Sequence, residues 1–134
     1  MTAQVGIVLV SHSAAVAAAV ATLAQGLAGG GESAPIAPAG GTPDGGLGTS
    51  SELIVEAARA VDRGSGVALL VDLGSAVLTV KALLAEGDEL PEGARLADAP
   101  FVEGAVAALV TASAGGDMDA VVAAASEAYT YRKG

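Results

Sequence analysis

Apolar runs and helical patterns alternate along the whole chain. Val5–Val10 is an unbroken apolar run, which predicts a first strand buried on both faces. Ala14–Ala28 follows as an alanine-rich helix, with Gly29-Gly30-Gly31 as its stop signal. Ala34–Pro38 predicts a weak second strand, whose two prolines remove ladder donors and suit a sheet edge. A glycine-rich loop from Gly40 to Gly48 leads into Thr49-Ser50-Ser51, good N-cap chemistry, and Leu53, Ile54, Ala57, Ala58 and Val61 then trace a helical face ending near Arg63-Gly64. Val67–Val71 predicts a central strand closed by Asp72-Leu73-Gly74-Ser75, and Val77, Val80 and Leu84 mark the next helix. Arg95–Ala97 predicts a short fourth strand before Asp98-Ala99-Pro100. Two helices close the chain, one marked by Val102, Val106, Leu109 and Val110, the other by Met118, Val121, Val122, Ala125 and Tyr129.

Strand and helix repeated in this way imply an α/β fold, a flavodoxin-like parallel sheet of about four strands with helices on both faces and right-handed crossovers. No repeat or linker interrupts the pattern, so residues 1–134 read as a single domain. Ligand sites in such sheets lie beyond the carboxyl ends of the strands, at the switch point of strand order. Those ends carry Ser11-His12-Ser13, Gly40-Gly41-Thr42, Asp72-Leu73-Gly74-Ser75 and Asp98-Ala99-Pro100, so the unusual chemistry of the chain falls on one rim.

Composition narrows the function. Hydrophobic residues make up 52% and aromatics only 2%, so Val, Leu, Ile and Ala must fill the core. The absence of cysteine removes disulfides, thiolate catalysis and zinc–sulfur sites together, and fits a cytoplasmic location. A net charge of −9 argues against nucleic acid or an anionic membrane as partner. The longest apolar stretch, Ala14 to Leu27, is broken by Thr22 and Gln25 and falls short of the roughly 18 apolar residues of a membrane span. No Lys or Arg precedes Arg59, so the basic start of a secretory signal is missing.

The candidate chemistry centres on His12, the only histidine. It stands where a buried strand stops and a helix starts, and a neutral imidazole is a competent nucleophile. Helix amino ends supply free N–H groups that hold phosphate, so a nucleophile there has the minimum equipment to carry a phosphoryl group. The bland reading is a cap or surface histidine. Asp72, at the end of the neighbouring central strand, has three readings: the carboxylate that orients the imidazole as in a catalytic triad, a response-regulator acceptor, or an N-cap. Ser13, Thr49, Gly74 and Ser75 are candidate phosphate donors, although each such serine or glycine piece taken singly is more often a helix cap. No Lys or Arg lies close by in sequence, which suits a carrier that must release its phosphate. Neither a G-x-G-x-x-G nor a G-x-x-x-x-G-K-[ST] fingerprint occurs, and one histidine with scattered carboxylates gives no metal-ligand spacing, so no cofactor or metal is expected.

Four blocks in order carry a resemblance: Gly6-Ile7-Val8-Leu9-Val10-Ser11-His12-Ser13, Gly48-Thr49-Ser50, Val71-Asp72-Leu73-Gly74-Ser75-Ala76, and Ala99-Pro100-Phe101-Val102-Glu103-Gly104-Ala105. Together they resemble the mannose-type enzyme IIA domain of phosphotransferase-dependent dihydroxyacetone kinases. The resemblance implies that His12 takes a phosphoryl group from the phosphocarrier HPr and passes it to ADP held on the nucleotide-binding kinase subunit. It further implies that Asp72 matches the family's orienting aspartate, that Ser75 supplies a phosphate-facing hydroxyl, and that the protein is a homodimer. Some members carry HPr-like and enzyme I-like domains beyond this one. Two other readings stand beside it: the enzyme IIA of a mannose-type sugar transporter, and a non-catalytic flavodoxin-like interaction domain in which His12 is structural.

Overall fold

A computed structural model describes residues 3–28 and 32–134; the glycine stop signal at 29–31 lies outside the described residues. Four parallel strands, β1 (Gly6–Ser11), β2 (Ile36–Gly40), β3 (Val67–Val71) and β4 (Arg95–Leu96), form one sheet in the order β2-β1-β3-β4. Helices α1 (Ala14–Leu27), α2 (Ser51–Val61), α3 (Gly74–Glu86), α4 (Phe101–Ser113) and α5 (Met118–Glu127) connect and cover it, and a short 3₁₀ turn, Ala128–Thr130, ends the last helix. The chain leaves β1 towards β2 on one side and returns to β3 on the other, so the strand order reverses between β1 and β3. That is the switch point, where a parallel sheet leaves a crevice at its carboxyl edge.

Alternate residues of β1 feed two separate cores. Ile7 and Leu9 pack with Ala68 and Leu70 of β3 under α1, α4 and α5. Val8 and Val10 pack with Val67 and Leu69 on the other face, under α2 and α3. Burial on both sides is why these strands read as continuous apolar runs rather than alternating ones.

The second strand runs two residues later than the Ala34–Pro38 pattern predicts. Ala34 is held by Ser113 Oγ, which accepts its N–H at 2.9 Å, and pairing with β1 begins only where Ile7 N–H donates to the Pro35 carbonyl. Pro38 sits inside the strand opposite Leu9, tolerated because β2 is an edge and pairs on one side only. None of the described helices is long and apolar enough to cross a membrane.

Gly6 admits the end of α2 against β1: a Cβ there would stand 2.3 Å from the Val61 carbonyl oxygen and 2.8 Å from Val61 Cγ2. Backbone cannot step aside without disturbing both elements, so Gly6→Ala should cost about 2 kcal/mol or more of stability. Chemical denaturation checks this; an unchanged midpoint would mean α2 shifts freely.

Candidate functional site

β1 and β3 are paired with Val10 opposite Val71, so the residues that follow, Ser11-His12 and Asp72, emerge side by side at the switch point. Two further segments close in. Gly41 N–H donates to the Ser11 carbonyl at 3.0 Å, and Gly48 N–H to the His12 carbonyl at 2.9 Å, which ties the β2–α2 loop to the backbone of His12. This loop can come so near because Gly40 has no side chain: a Cβ would lie 2.4 Å from the Ser13 carbonyl oxygen.

The imidazole is held from both ends. Nδ1 lies 3.1 Å from Asp72 Oδ1. Nε2 meets the Ser75 hydroxyl and lies 3.4 Å from Thr49 Oγ1. An ionised carboxylate only accepts, so Nδ1 carries the hydrogen, and the lone pair of the neutral ring is on Nε2, facing the two hydroxyls. The His12 side chain is 24% exposed, open to a reactant, and Asp72 is 17% exposed.

Asp72 accepts four hydrogen bonds. Oδ2 takes Ser11 Oγ–H at 2.8 Å and His12 N–H at 3.1 Å, while Oδ1 takes the ring and Leu73 N–H at 2.7 Å. Partial burial pushes its pKa up, but the bonds from Ser11, His12 and Leu73 outweigh that and hold the carboxyl below the ordinary aspartate value. Asp72 does not cap α3. The N-cap there is Leu73, without any side-chain bond.

Ser11 was not singled out from the sequence as a site residue, yet it is the one buried polar side chain among the described residues, 1% exposed. Its hydroxyl donates to Asp72 and accepts Ser13 N–H at 3.1 Å. A hydroxyl ending an otherwise apolar, doubly buried strand was the available signal. Ser11→Ala leaves a partly buried carboxylate oxygen and an N–H short of a partner, so it should cost about 1–3 kcal/mol in thermal or denaturant unfolding. It should also slow chemistry at His12 less than a change at Asp72 itself; an unaltered protein on both measures would reduce Ser11 to packing.

The candidate phosphate donors separate. Thr49 and Ser75 reach Nε2. Ser13 Oγ instead accepts Val16 N–H at 3.2 Å and caps α1, as Ser50 caps α2. Gly74 opens α3, whose first turn keeps free N–H groups because no side chain caps it. Of the three helices that begin around the ring, α3 alone has an uncapped amino end. The Asp98-Ala99-Pro100 turn lines a cavity beside Asp72-Leu73-Gly74, but its polar groups are bonded elsewhere: Asp98 accepts Tyr129 O–H at 2.9 Å, which raises the tyrosine pKa, and its carbonyl accepts Ser126 Oγ–H. Among the described residues, carboxylates expected to be scattered gather at Glu86, Asp88 and Glu89 at the far end of α3, all exposed.

Fold and site together define a parallel α/β domain with a carboxylate-oriented histidine at its switch point. The chain matches a family model, described as the fructose IIA component of the phosphotransferase system, over residues 6–122, and it belongs to that mannose-type enzyme IIA family. Within the family it is similar to phosphoryl donor subunits, named DhaM, of phosphoenolpyruvate-dependent dihydroxyacetone kinases. It is 39% identical over 97% of its length to that of Pantoea ananatis and 36% identical over 89% to that of Escherichia coli, spanning 28% and 26% of those proteins. It is 34% identical over 80% of its length to a Listeria innocua DhaM, of which it covers 85%. The crystal structure of a protein of unknown function superposes with a TM-score of 0.78 at 31% identity, covering 98% of both chains.

Proposed function

We propose that this domain is a phosphoryl carrier: it accepts a phosphoryl group from phospho-HPr on His12 Nε2 and delivers it to ADP bound on the nucleotide-binding subunit of a dihydroxyacetone kinase. One observation carries the reading. Nδ1–H is pinned to an ionised Asp72, which leaves Nε2 as the free nucleophile among two hydroxyls and an uncapped helix end. In the first step the Nε2 lone pair attacks the phosphorus on HPr. A new N–P bond forms as the donor's N–P bond breaks, and the donor histidine leaves with the electron pair. The ring becomes cationic, and Asp72 stabilises it through Nδ1–H. The incoming oxygens meet Ser75, Thr49 and the free N–H groups of α3, including that of Gly74. In the second step an oxygen of the ADP terminal phosphate attacks, and Nε2 leaves as a neutral imidazole. The domain is a carrier rather than a self-contained catalyst.

Support for the kinase over a sugar transporter comes from relatives that are donor subunits of dihydroxyacetone kinases. We place the protein in the cytoplasm, in glycerol and dihydroxyacetone metabolism, as one domain of a homodimer. The resemblance supports the dimer, and so does an apolar groove between α1 and α4 where Leu23, Leu27, Val102, Val110 and Tyr131 are exposed.

The test combines phosphoenolpyruvate, enzyme I, HPr and this protein, then adds magnesium and ADP with or without the nucleotide-binding subunit. ATP should form only with that subunit. ATP without it would make the chain a self-sufficient kinase, and no label on the protein would leave a binding module.

A further inference from the structure

The passage from β2 to α2 is mostly glycine, yet it delivers a side chain to the nucleophile. Gly40, Gly41, Gly45, Gly46 and Gly48 are five of the nine residues from 40 to 48. Three of them, Gly41, Gly45 and Gly48, hold φ at +69°, +89° and +145°. Glycine loses more conformational freedom on folding than any other residue, so such a segment brings little order of its own. Directly after it, Thr49 Oγ1 lies 3.4 Å from His12 Nε2. Ser50 fixes the α2 side of Thr49 by accepting Leu53 N–H at 3.2 Å. The loop has to fix the other side.

A single side chain knits that loop together. Gly45 N–H donates to the Thr42 carbonyl at 2.9 Å, which closes a β-turn with Pro43 and Asp44 at its centre, and proline presets the φ that this position requires. Thr42 N–H donates to the Gly46 carbonyl at 3.0 Å. The Thr42 hydroxyl donates to the Asp44 carboxylate and accepts Gly46 N–H at 3.0 Å. The bond from Thr42, and after it the one from Gly46, hold the Asp44 carboxyl below the ordinary aspartate value. It is therefore an ionised acceptor at neutral pH. The Thr42 methyl faces Gly48, where a Cβ would meet Cγ2 at 3.0 Å. Gly48 N–H in turn donates to the His12 carbonyl, and Gly41 bridges to Thr49. Contacts thus run from Asp44 through Thr42 to the residues on either side of the ring. Neither Thr42 nor Asp44 belongs to the two cores, so their bonds place a local segment rather than hold the fold.

We infer that Thr42 and Asp44 are positioning residues for phosphoryl transfer: their latch holds the glycine-rich loop so that the Thr49 hydroxyl stands at Nε2 to meet the incoming phosphoryl oxygens. This rests on the carrier reading. The latch acts only through Thr49 and touches neither imidazole nitrogen.

The experiment measures single-turnover labelling of the full chain by saturating phospho-HPr and, separately, by phosphoramidate, a small donor that needs no protein contact. Thr42→Val keeps the methyl and removes the hydroxyl, whereas Thr42→Ser keeps the hydroxyl. Asp44 is exposed, so Asp44→Ala opens the same latch without disturbing packing. Thr49→Val should slow labelling about tenfold with both donors. Thr42→Val and Asp44→Ala should each slow it about fivefold with unchanged denaturation midpoints, and Thr42→Ser should stay within about twofold of the unmodified chain. The double variants decide the route. Once Thr49→Val is in place, adding Thr42→Val or Asp44→Ala should cost under about twofold, because the group they position is gone. A further loss of about fivefold in the double variants would overturn the proposal. So would unchanged rates in both single latch variants, or a loss in Thr42→Ser equal to that in Thr42→Val. A loss with phospho-HPr alone would overturn it too, since the loop would then be a contact for the donor protein and not a support for Thr49. If neither donor labels the unmodified protein, the carrier reading itself fails.

Discussion

Incubated with phospho-HPr at alkaline pH, the His12→Ala protein should carry no phosphate, while the unmodified chain gains one acid-labile group. The expected effect is complete loss, not attenuation. His12 is the only histidine in the chain, and no cysteine is available to substitute as a nucleophile. Ser75 and Thr49 stand at the ring, but each is a neutral hydroxyl, and the base each meets is the imidazole itself. Removing the ring therefore removes both the nucleophile and the group that would activate any replacement. Intact-mass measurement at alkaline pH, repeated after acid treatment, reads the result. A phosphate retained through acid, or found on a serine, threonine or aspartate, would overturn the assignment.

Asp72→Asn should preserve the fold and slow phosphoryl transfer by about tenfold or more. The change keeps volume but not polarity. Asp72 faces four donors, two at each oxygen, and an amide offers only one accepting oxygen. If its NH₂ settles at the Oδ1 position, it drives the hydrogen of the ring from Nδ1 to Nε2 and blocks the nucleophile. If it settles at Oδ2, it opposes Ser11 and the His12 N–H. Rapid-quench transfer kinetics should show the loss, and unchanged kinetics would leave Asp72 a structural acceptor. Stability carries a second signature. The folded pKa of Asp72 lies below its ordinary value, so its stabilisation is fully present above about pH 4 and is lost as pH falls through the lower folded value. The stability gap between the two proteins should therefore be constant near neutrality and shrink only in acid.

The sheet was legible because strands buried on both faces leave unbroken apolar runs, and β1 and β3 do so without ambiguity. Histidine and aspartate at the ends of these runs pointed to one rim, and the structure brings them to hydrogen-bond distance. The boundaries of β2 were not legible. Its start depends on Ser113, about eighty residues away, holding Ala34 out of the ladder, and no local pattern encodes that. The role of Ser11 was hidden for the same reason: a serine beside a histidine reads as turn chemistry until the β3 carboxylate arrives beneath it. Ser13 read as a phosphate donor because its neighbour is the nucleophile, yet its hydroxyl points into the first turn of α1. Sequence proximity and hydroxyl chemistry together do not say which helix a serine serves.

The pairing of Val10 with Val71 has a consequence for how this domain tolerates change. The distance between imidazole and carboxylate is set by a backbone register, not by the helices that join the two strands. Insertions or deletions in the connecting α1–β2–α2 passage can be absorbed at its loops, provided both strands still meet in step. A slip of one residue would be disastrous, since it would reverse the facing of every β3 side chain and carry Asp72 away from the ring. Drift along the surface is thus cheap and drift along the ladder is not. Homologous domains should vary freely in crossover length while keeping the number of residues between the paired valines and their polar successors fixed.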